Sequence, residues 1–206
     1  VKNSSFQGQP HLQTLGLPHE QYSYDAVHNR TSSGHQPGAW SYNQDNQLTH
    51  YPRTIPFNQA PPVDTSVTYT PQGHTQKETS SQWTKDYGYN AAERLTKYQS
   101  TNQGQSSPAL EANYRYDPFG RRIAKSVKEA STATTYFVYG EQGLMGETDE
   151  QGKLTKGYGF NPIAAQQGLW STDPIWQANA SNGILTAQDT SFHYLHTDHL
   201  GTPQLA

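Results

Sequence analysis

The sequence predicts an all-β fold built from tandem β-hairpins, and three observations predict it. A short phrase keeps returning: an aromatic residue, usually Tyr, then Asp or Asn, two variable residues, a turn-compatible residue, and often Arg, Lys or Leu. Between the copies, side chains alternate with the period of two expected of half-buried strands, whereas helical periodicity is weak. The chain also holds 14 Tyr at an apolar content of only 32%. Tyr rings, each with a large apolar face and a hydroxyl that needs a partner, must therefore supply much of the burial. A self-similar phrase at intervals of roughly 20 residues marks a repeat architecture, in which each unit completes its core against its neighbours.

Residues 1–20 are polar and contain Pro10 and Pro18, which suits an irregular lead-in or a degenerate repeat. Residues 21–130 carry most of the phrases: Tyr24-Asp25 through Arg30, Tyr42-Asn43 through Leu48, Tyr89-Asn90 through Arg94-Leu95, and Tyr116-Asp117 through Gly120-Arg121-Arg122. Weaker copies are Tyr69–Gly73, Tyr139-Gly140-Glu141-Gln142-Gly143-Leu144 and Asp149–Leu154. In Tyr116–Arg122, Asp117 suits the first position of a type I turn and Pro118, with its preset φ, the second. Gly120 can then take a positive φ and form the bulge that leads into the next strand. The Pro-rich stretch 52–62 reads as a loop inserted between repeats, because Pro cannot donate to a sheet ladder. A second loop is expected over 100–108, rich in Asn, Gln, Gly and Ser. Ala91–Leu95 favours helix by propensity, but it aligns with a repeat turn, and the alignment takes precedence.

From 131 to 206 glycine is denser. Thr134–Tyr139 is the strongest strand signal, followed by expected strands at 144–148 and 154–160. Residues 161–190 read as loop, with turn signals at Asn161-Pro162 and Asp173-Pro174. A last strand is expected over Phe192–Leu200, ending in a turn at Gly201-Thr202-Pro203.

The net charge is −3 and no Lys/Arg run occurs, which gives no nucleic-acid footprint. No apolar stretch approaches 18 residues, so no membrane span is expected. The first residues, from Val1, carry no apolar run of a signal peptide, so the chain is expected to begin in mid-protein. Absence of Cys excludes disulfides and thiolate metal sites. A Cys-free chain rich in Gln, Ser, Thr and Asn suits an exported bacterial surface protein.

Candidate chemistry is sparse. Tyr194-Leu195-His196-Thr197-Asp198-His199 resembles the ligand run of metallo-hydrolases, but Tyr194 stands at the first ligand position and His193 is one residue early, on the opposite face of a strand. A structural block is the better reading, so no metal or cofactor is expected. The Asp residues of the phrases are expected to cap their own turns, and the Arg or Lys stems to cover Tyr faces. The Tyr series could form a sugar-binding platform, but repeating strands must bury something and little else is apolar. Trp40, Trp83, Trp170 and Trp176 read as packing plugs. No Gly-x-Ser-x-Gly elbow is present. The chain is therefore expected not to be an enzyme.

The Tyr-Asp-x-x-Gly-Arg phrase resembles that of the YD-repeat proteins, also called Rhs proteins. Tyr136–Leu144, with Tyr139 and Gly143, and the closing block of His196, Asp198, His199, Gly201 and Pro203 resemble segments that lead into the Rhs-associated core of bacterial members. The resemblance implies a long β-sheet spiralling into a hollow, cocoon-like shell, of which this chain is one continuous piece. It implies a secreted or cell-surface protein whose shell encloses a C-terminal, toxin-like polypeptide. Implied partners are the rest of the parent chain, that polypeptide and a secretion or delivery component. Self-cleavage in such proteins would lie beyond Ala206. His28, Asn46 and Glu93 stand where the family often has Gly. Glu93 tolerates a left-handed backbone poorly, so a different geometry is expected for that turn. A surface adhesion or carbohydrate-binding module is the alternative.

Overall fold

The structure is a computed structural model that describes residues 21–34, 36, 38–53, 61–141, 143–160, 174–180, 182–186, 190–197 and 203–205. The described residues contain seventeen strands and no helix. They are β1 (Tyr22–Tyr24), β2 (Arg30–Ser33), β3 (Ser41–Tyr42), β4 (Leu48–Arg53), β5 (Val63–Tyr69), β6 (Thr75–Ser80), β7 (Trp83–Tyr89), β8 (Leu95–Asn102) and β9 (Leu110–Tyr116). Then follow β10 (Arg122–Lys128), β11 (Thr132–Gly140), β12 (Gly143–Thr148), β13 (Leu154–Phe160), β14 (Pro174–Asn179), β15 (Ser191–Tyr194), β16 (His196–Thr197) and β17 (Pro203–Leu205). Strands β3 to β15 form one 13-stranded antiparallel sheet in chain order, while β1–β2 and β16–β17 are separate two-stranded ribbons. Two compact units divide the chain: residues 1–88 with 98–109, and residues 89–97 with 110–206.

The register explains how so polar a chain folds. In the first unit, Tyr51 faces Thr65, Thr65 faces Ser80, Val67 faces Glu78, and Glu78 faces Lys85. Alternation puts these side chains on one face of the sheet. Thr65 is fully buried there, and Val67 and Ser80 are buried. The other face carries His50, Ser66, Thr79 and Thr84 in one cross-strand row, and Thr68, Lys77 and Asp86 in the next. In the second unit the buried residues are small: Ala112, Ala124 and Ala178. Around them, larger side chains cover glycines of neighbouring strands. A Cβ on Gly159 would collide with the Trp176 indole, and one on Gly157 would crowd Leu185. Gly157 and Gly159 of β13 are thus the floor on which Leu185 and Trp176 pack.

Several expectations are corrected. Pro52 lies inside β4, paired with Asp64 of β5. The neighbouring β3 pairs with β4 only at Leu48 and His50, so the amide that Pro lacks is not required there. The 100–108 loop is shorter than expected, because β8 runs to Asn102 and the turn closes with Ala109 N donating to Ser100 O at 2.8 Å. Residues 174–179 form β14, paired on both sides, where loop was expected. Its Ile-Trp-Gln-Ala core outweighs the flanking Pro signal, and Pro174 occupies the strand's first position, where a missing amide is tolerated. The closing strand breaks into β15 and β16, and Pro203 opens β17, pairing with Thr197, where a turn was expected. The lead-in 1–20, most of the Pro-rich insert (54–60), the first part of the 161–190 loop (161–173), and Asp198, His199 and Gly201 lie outside the described residues.

Candidate functional site

The repeated phrase is a single turn geometry. Six phrases share it: Tyr24–Arg30, Tyr42–Leu48, Tyr69–Thr75, Tyr89–Leu95, Tyr116–Arg122 and Thr148–Leu154. Number each phrase from its Tyr as position 1. The amide of position 2 donates to the carbonyl of position 6, and the amide of position 5 donates back to the carbonyl of position 2. At Asp117 these bonds measure 2.9 and 2.9 Å, and at Asn90 3.0 and 2.9 Å. This is a type I turn followed by a one-residue bulge, and the register shifts beside Tyr24, Tyr42, Tyr69 and Thr148. Position 5 takes a left-handed φ in every copy: His28 68°, Asn46 59°, Gly73 89°, Glu93 61°, Gly120 84° and Gly152 77°. Glu93 therefore adopts the common geometry after all. The turn's two backbone bonds and its cap hold it there against its preference.

The cap is position 2. Asp25 Oδ1 accepts from the amides of Val27 and Asn29, Asn43 Oδ1 from Asp45 and Gln47, and Asn90 Oδ1 from Ala92 and Arg94. Thr70 Oγ1, Asp117 Oδ1 and Asp149 Oδ1 play the same part. Asp117 also receives the Nε–H of Arg121. Desolvation at the turn works to raise the Asp117 pKa, but the bonds from Arg121 and its amide outweigh it and hold the carboxyl below its ordinary 3.8. Asp25 is held down in the same way, against desolvation, by Asn29 and Val27.

Two contacts join one phrase to the next. First, in four copies the phenol of position 1 donates to the position-7 carbonyl of the preceding phrase. Tyr42 reaches Arg30 O at 2.8 Å, Tyr69 reaches Leu48 O at 2.7 Å, Tyr116 reaches Leu95 O at 2.7 Å, and Tyr139 reaches Arg122 O at 3.0 Å. Second, the side chain of position 6 lies against position 5 of the next phrase. Asn29 Nδ2 donates to Asn46 Oδ1 at 3.0 Å, Gln47 Nε2 sits 3.3 Å from where a Cβ on Gly73 would be, and the Arg94 guanidinium covers Gly120. Sequence reading anticipated the caps but missed both contacts.

The weaker copies split these roles. Tyr139 keeps the phenol contact but not the turn, because Gly140 pairs directly with Gly143 across a two-residue connection. Gly143 has a φ of 134° with the Phe160 ring above it. Asp149 keeps the turn and cap, but Thr148 stands where Tyr would be. Since successive connections of an antiparallel meander alternate ends, the Asp149 turn lies at the opposite end of its strands from the Asp117 turn.

Cationic stems cover rings as expected. Arg30 lies 4.0 Å from the Trp40 ring centroid, and Arg121 lies 5.1 Å from that of Tyr139. Trp83 carries Lys85 at 4.3 Å and Arg53 at 5.0 Å. Between these cations sits Glu78, another residue that sequence reading passed over. It accepts from Tyr87 at 3.0 Å and Tyr51 at 3.4 Å and pairs with Arg53 at 3.6 Å and Lys85 at 3.8 Å. Glu147 is the counterpart in the second unit, accepting from Tyr158. The available signal was an acidic residue at an inward position of an alternating strand. Burial, reinforced by these carboxylates, pushes the Tyr87 and Tyr158 phenols well above 10.0. Burial also raises Tyr42, Tyr51, Tyr69, Tyr89 and Tyr139, and it lowers Lys85, with Arg53 adding to the effect.

Of the closing block, His196 pairs with Leu205 in the β16–β17 ribbon. Among the described residues no three His, Cys, Asp or Glu side chains group to hold a metal ion. The arrangement is one of capped turns, rings covered by cations, and ion pairs joining strand to strand.

No family model matches the chain, and no curated protein matches it. Solved structures do. A TcdB2–TccC3 complex with Cdc42 is similar over 87% of this chain, with TM-score 0.57 and 13% identity. TcdB2–TccC3 without its hypervariable C-terminal region is similar over 91%, with TM-score 0.56 and 12% identity. A Photorhabdus luminescens Tc holotoxin pore carrying a TccC3 variant is similar over 86%, with TM-score 0.56 and 13% identity. The likeness establishes the all-β fold, and this chain spans about a tenth of the length of each of those chains.

Proposed function

We propose that this chain is a non-enzymatic wall segment of a YD-repeat shell, which encloses a C-terminal, toxin-like polypeptide of its parent protein for export and delivery. The observation that carries the reading is the phenol-to-carbonyl contact that ties the phrases of Tyr42, Tyr69, Tyr116 and Tyr139 each to the one before it. A unit that is complete only against its predecessor is suited to extending a wall. Similarity to chains of Tc toxin assemblies supports a place in a larger exported bacterial toxin, with the rest of the parent chain as the first partner. Closing such a sheet would remove its exposed strand edges. The function is mechanical: containment needs no nucleophile, metal or cofactor.

Electron microscopy of the intact parent protein tests this. The expected result is a closed hollow shell with internal density that disappears when the C-terminal region is deleted. An open or compact β-structure without a cavity would refute it.

A further inference from the structure

In the second unit, register aligns Asn113, Ser126 and Thr134 in one cross-strand row, and Arg115, Ala124 and Tyr136 in the next. Alternation puts all six on one face. They line a cavity of about 470 Å³, within the size range of small-molecule sites. Its floor is small side chains: Ala124 is buried and Ser126 and Thr134 are half-buried. Its rim is exposed Asn113, Arg115 and Tyr136, the last 43% exposed.

The donors and acceptors left over define the ligand. Thr134 Oγ1 donates to Ser126 Oγ at 3.2 Å, which leaves the Ser126 hydroxyl proton to give. Asn113 Nδ2 donates to Glu111 at 3.0 Å, which leaves its amide oxygen to accept. The Arg115 guanidinium makes no ion pair or hydrogen bond among the described residues, unlike that of Arg121 in the neighbouring turn. An exposed phenol ring offers a flat apolar face for a pyranose ring, the amide and hydroxyls suit sugar hydroxyls, and a free guanidinium matches a carboxylate with two parallel bonds.

We infer that this face binds a sugar bearing a carboxylate, such as a uronic acid residue, with Tyr136 under the ring and Arg115 on the acid group. The inference is independent of the shell reading. Saturation-transfer NMR titration of the full chain, within its parent protein, with methyl glucuronide and methyl glucoside tests it. Saturable binding of the glucuronide is expected, with the glucoside roughly tenfold weaker or more. Arg115→Gln should erase that preference, and Tyr136→Ala should weaken both sugars about tenfold. Both positions are exposed, and far-UV circular dichroism verifies that each variant folds. No saturable binding to the folded protein, equal affinity for the two sugars, or unchanged affinity in either variant overturns the inference. None of those results bears on whether the parent protein is hollow.

Discussion

Replacing Tyr116 by Phe isolates the contact between phrases, because it removes one oxygen and leaves the ring in place. The bond removed is a 2.7 Å O–H···O from the phenol to Leu95 O, in a part-buried setting. A neutral hydrogen bond of this kind contributes about 0.5–1.5 kcal/mol net. Leaving the Leu95 carbonyl without it could cost more in a dry site, but a half-buried groove lets water take the place of the phenol. The expected loss is therefore about 1 kcal/mol, or roughly a fivefold rise in local opening. Native-state hydrogen exchange reads such local opening directly. Protection of the β9–β10 hairpin should fall about fivefold in Tyr116→Phe. Tyr24, itself 49% exposed, is the control. Its Phe variant should leave protection of its own hairpin within the error of measurement. Unchanged protection in Tyr116→Phe, or an equal drop in Tyr24→Phe, would show that the contact does not couple the phrases.

Gly120→Ala should destabilise more than Gly152→Ala. Both positions hold a left-handed φ, 84° and 77°, and both lose about 1 kcal/mol on that account; only at Gly120 must a new Cβ displace the Arg94 guanidinium, and differential scanning calorimetry of the two variants gives the difference. Asp117 has a depressed pKa in the folded chain, so its contribution is present above the ordinary 3.8 and is lost as pH falls through the lower folded value. Acid titration of stability should show a shallower fall in Asp117→Asn than in the parent sequence. At the alkaline end the sign reverses: phenols raised above 10.0 favour the folded state only while they stay protonated. Stability should decline once pH exceeds 10, when the unfolded chain ionises first, and ultraviolet absorbance should show phenolate appearing together with unfolding.

Much of the fold was legible because the phrase encodes its turn locally. Asp at position 2 caps it, and Gly or Asn at position 5 permits the bulge. Those rules located the hairpins of Tyr42 and Tyr116 without any knowledge of neighbours, whereas that of Tyr89 needed alignment with the other copies. They fell short where non-local demands rule. Glu93 is a poor left-handed residue, yet the turn's two backbone bonds and the cap from Asn90 hold it there. Strand β14 was obscured by its flanking Pro signals, and what stabilises it is a Trp over a glycine of β13. The contacts between phrases span 12, 21, 21 and 17 residues, so no local window contains both partners. The closing His block supplies only His196 and Pro203 to the described structure, both in the small β16–β17 ribbon.

The contacts between phrases also explain why Gly is required at position 5 of the Tyr116 phrase. A left-handed φ alone does not demand it, since His28 and Asn46 take the same conformation at 68° and 59°. What differs is the side chain that the preceding phrase lays over the turn. Asn29 is short and polar, and it meets Asn46 by hydrogen bond. Gln47 reaches farther and meets Gly73, while Arg94 is longest, and its guanidinium fills the space a Cβ on Gly120 would need. A large cation at position 6 and a side chain at position 5 of the next phrase compete for one volume. Gly120 belongs to the contact with Arg94 as much as to its own turn.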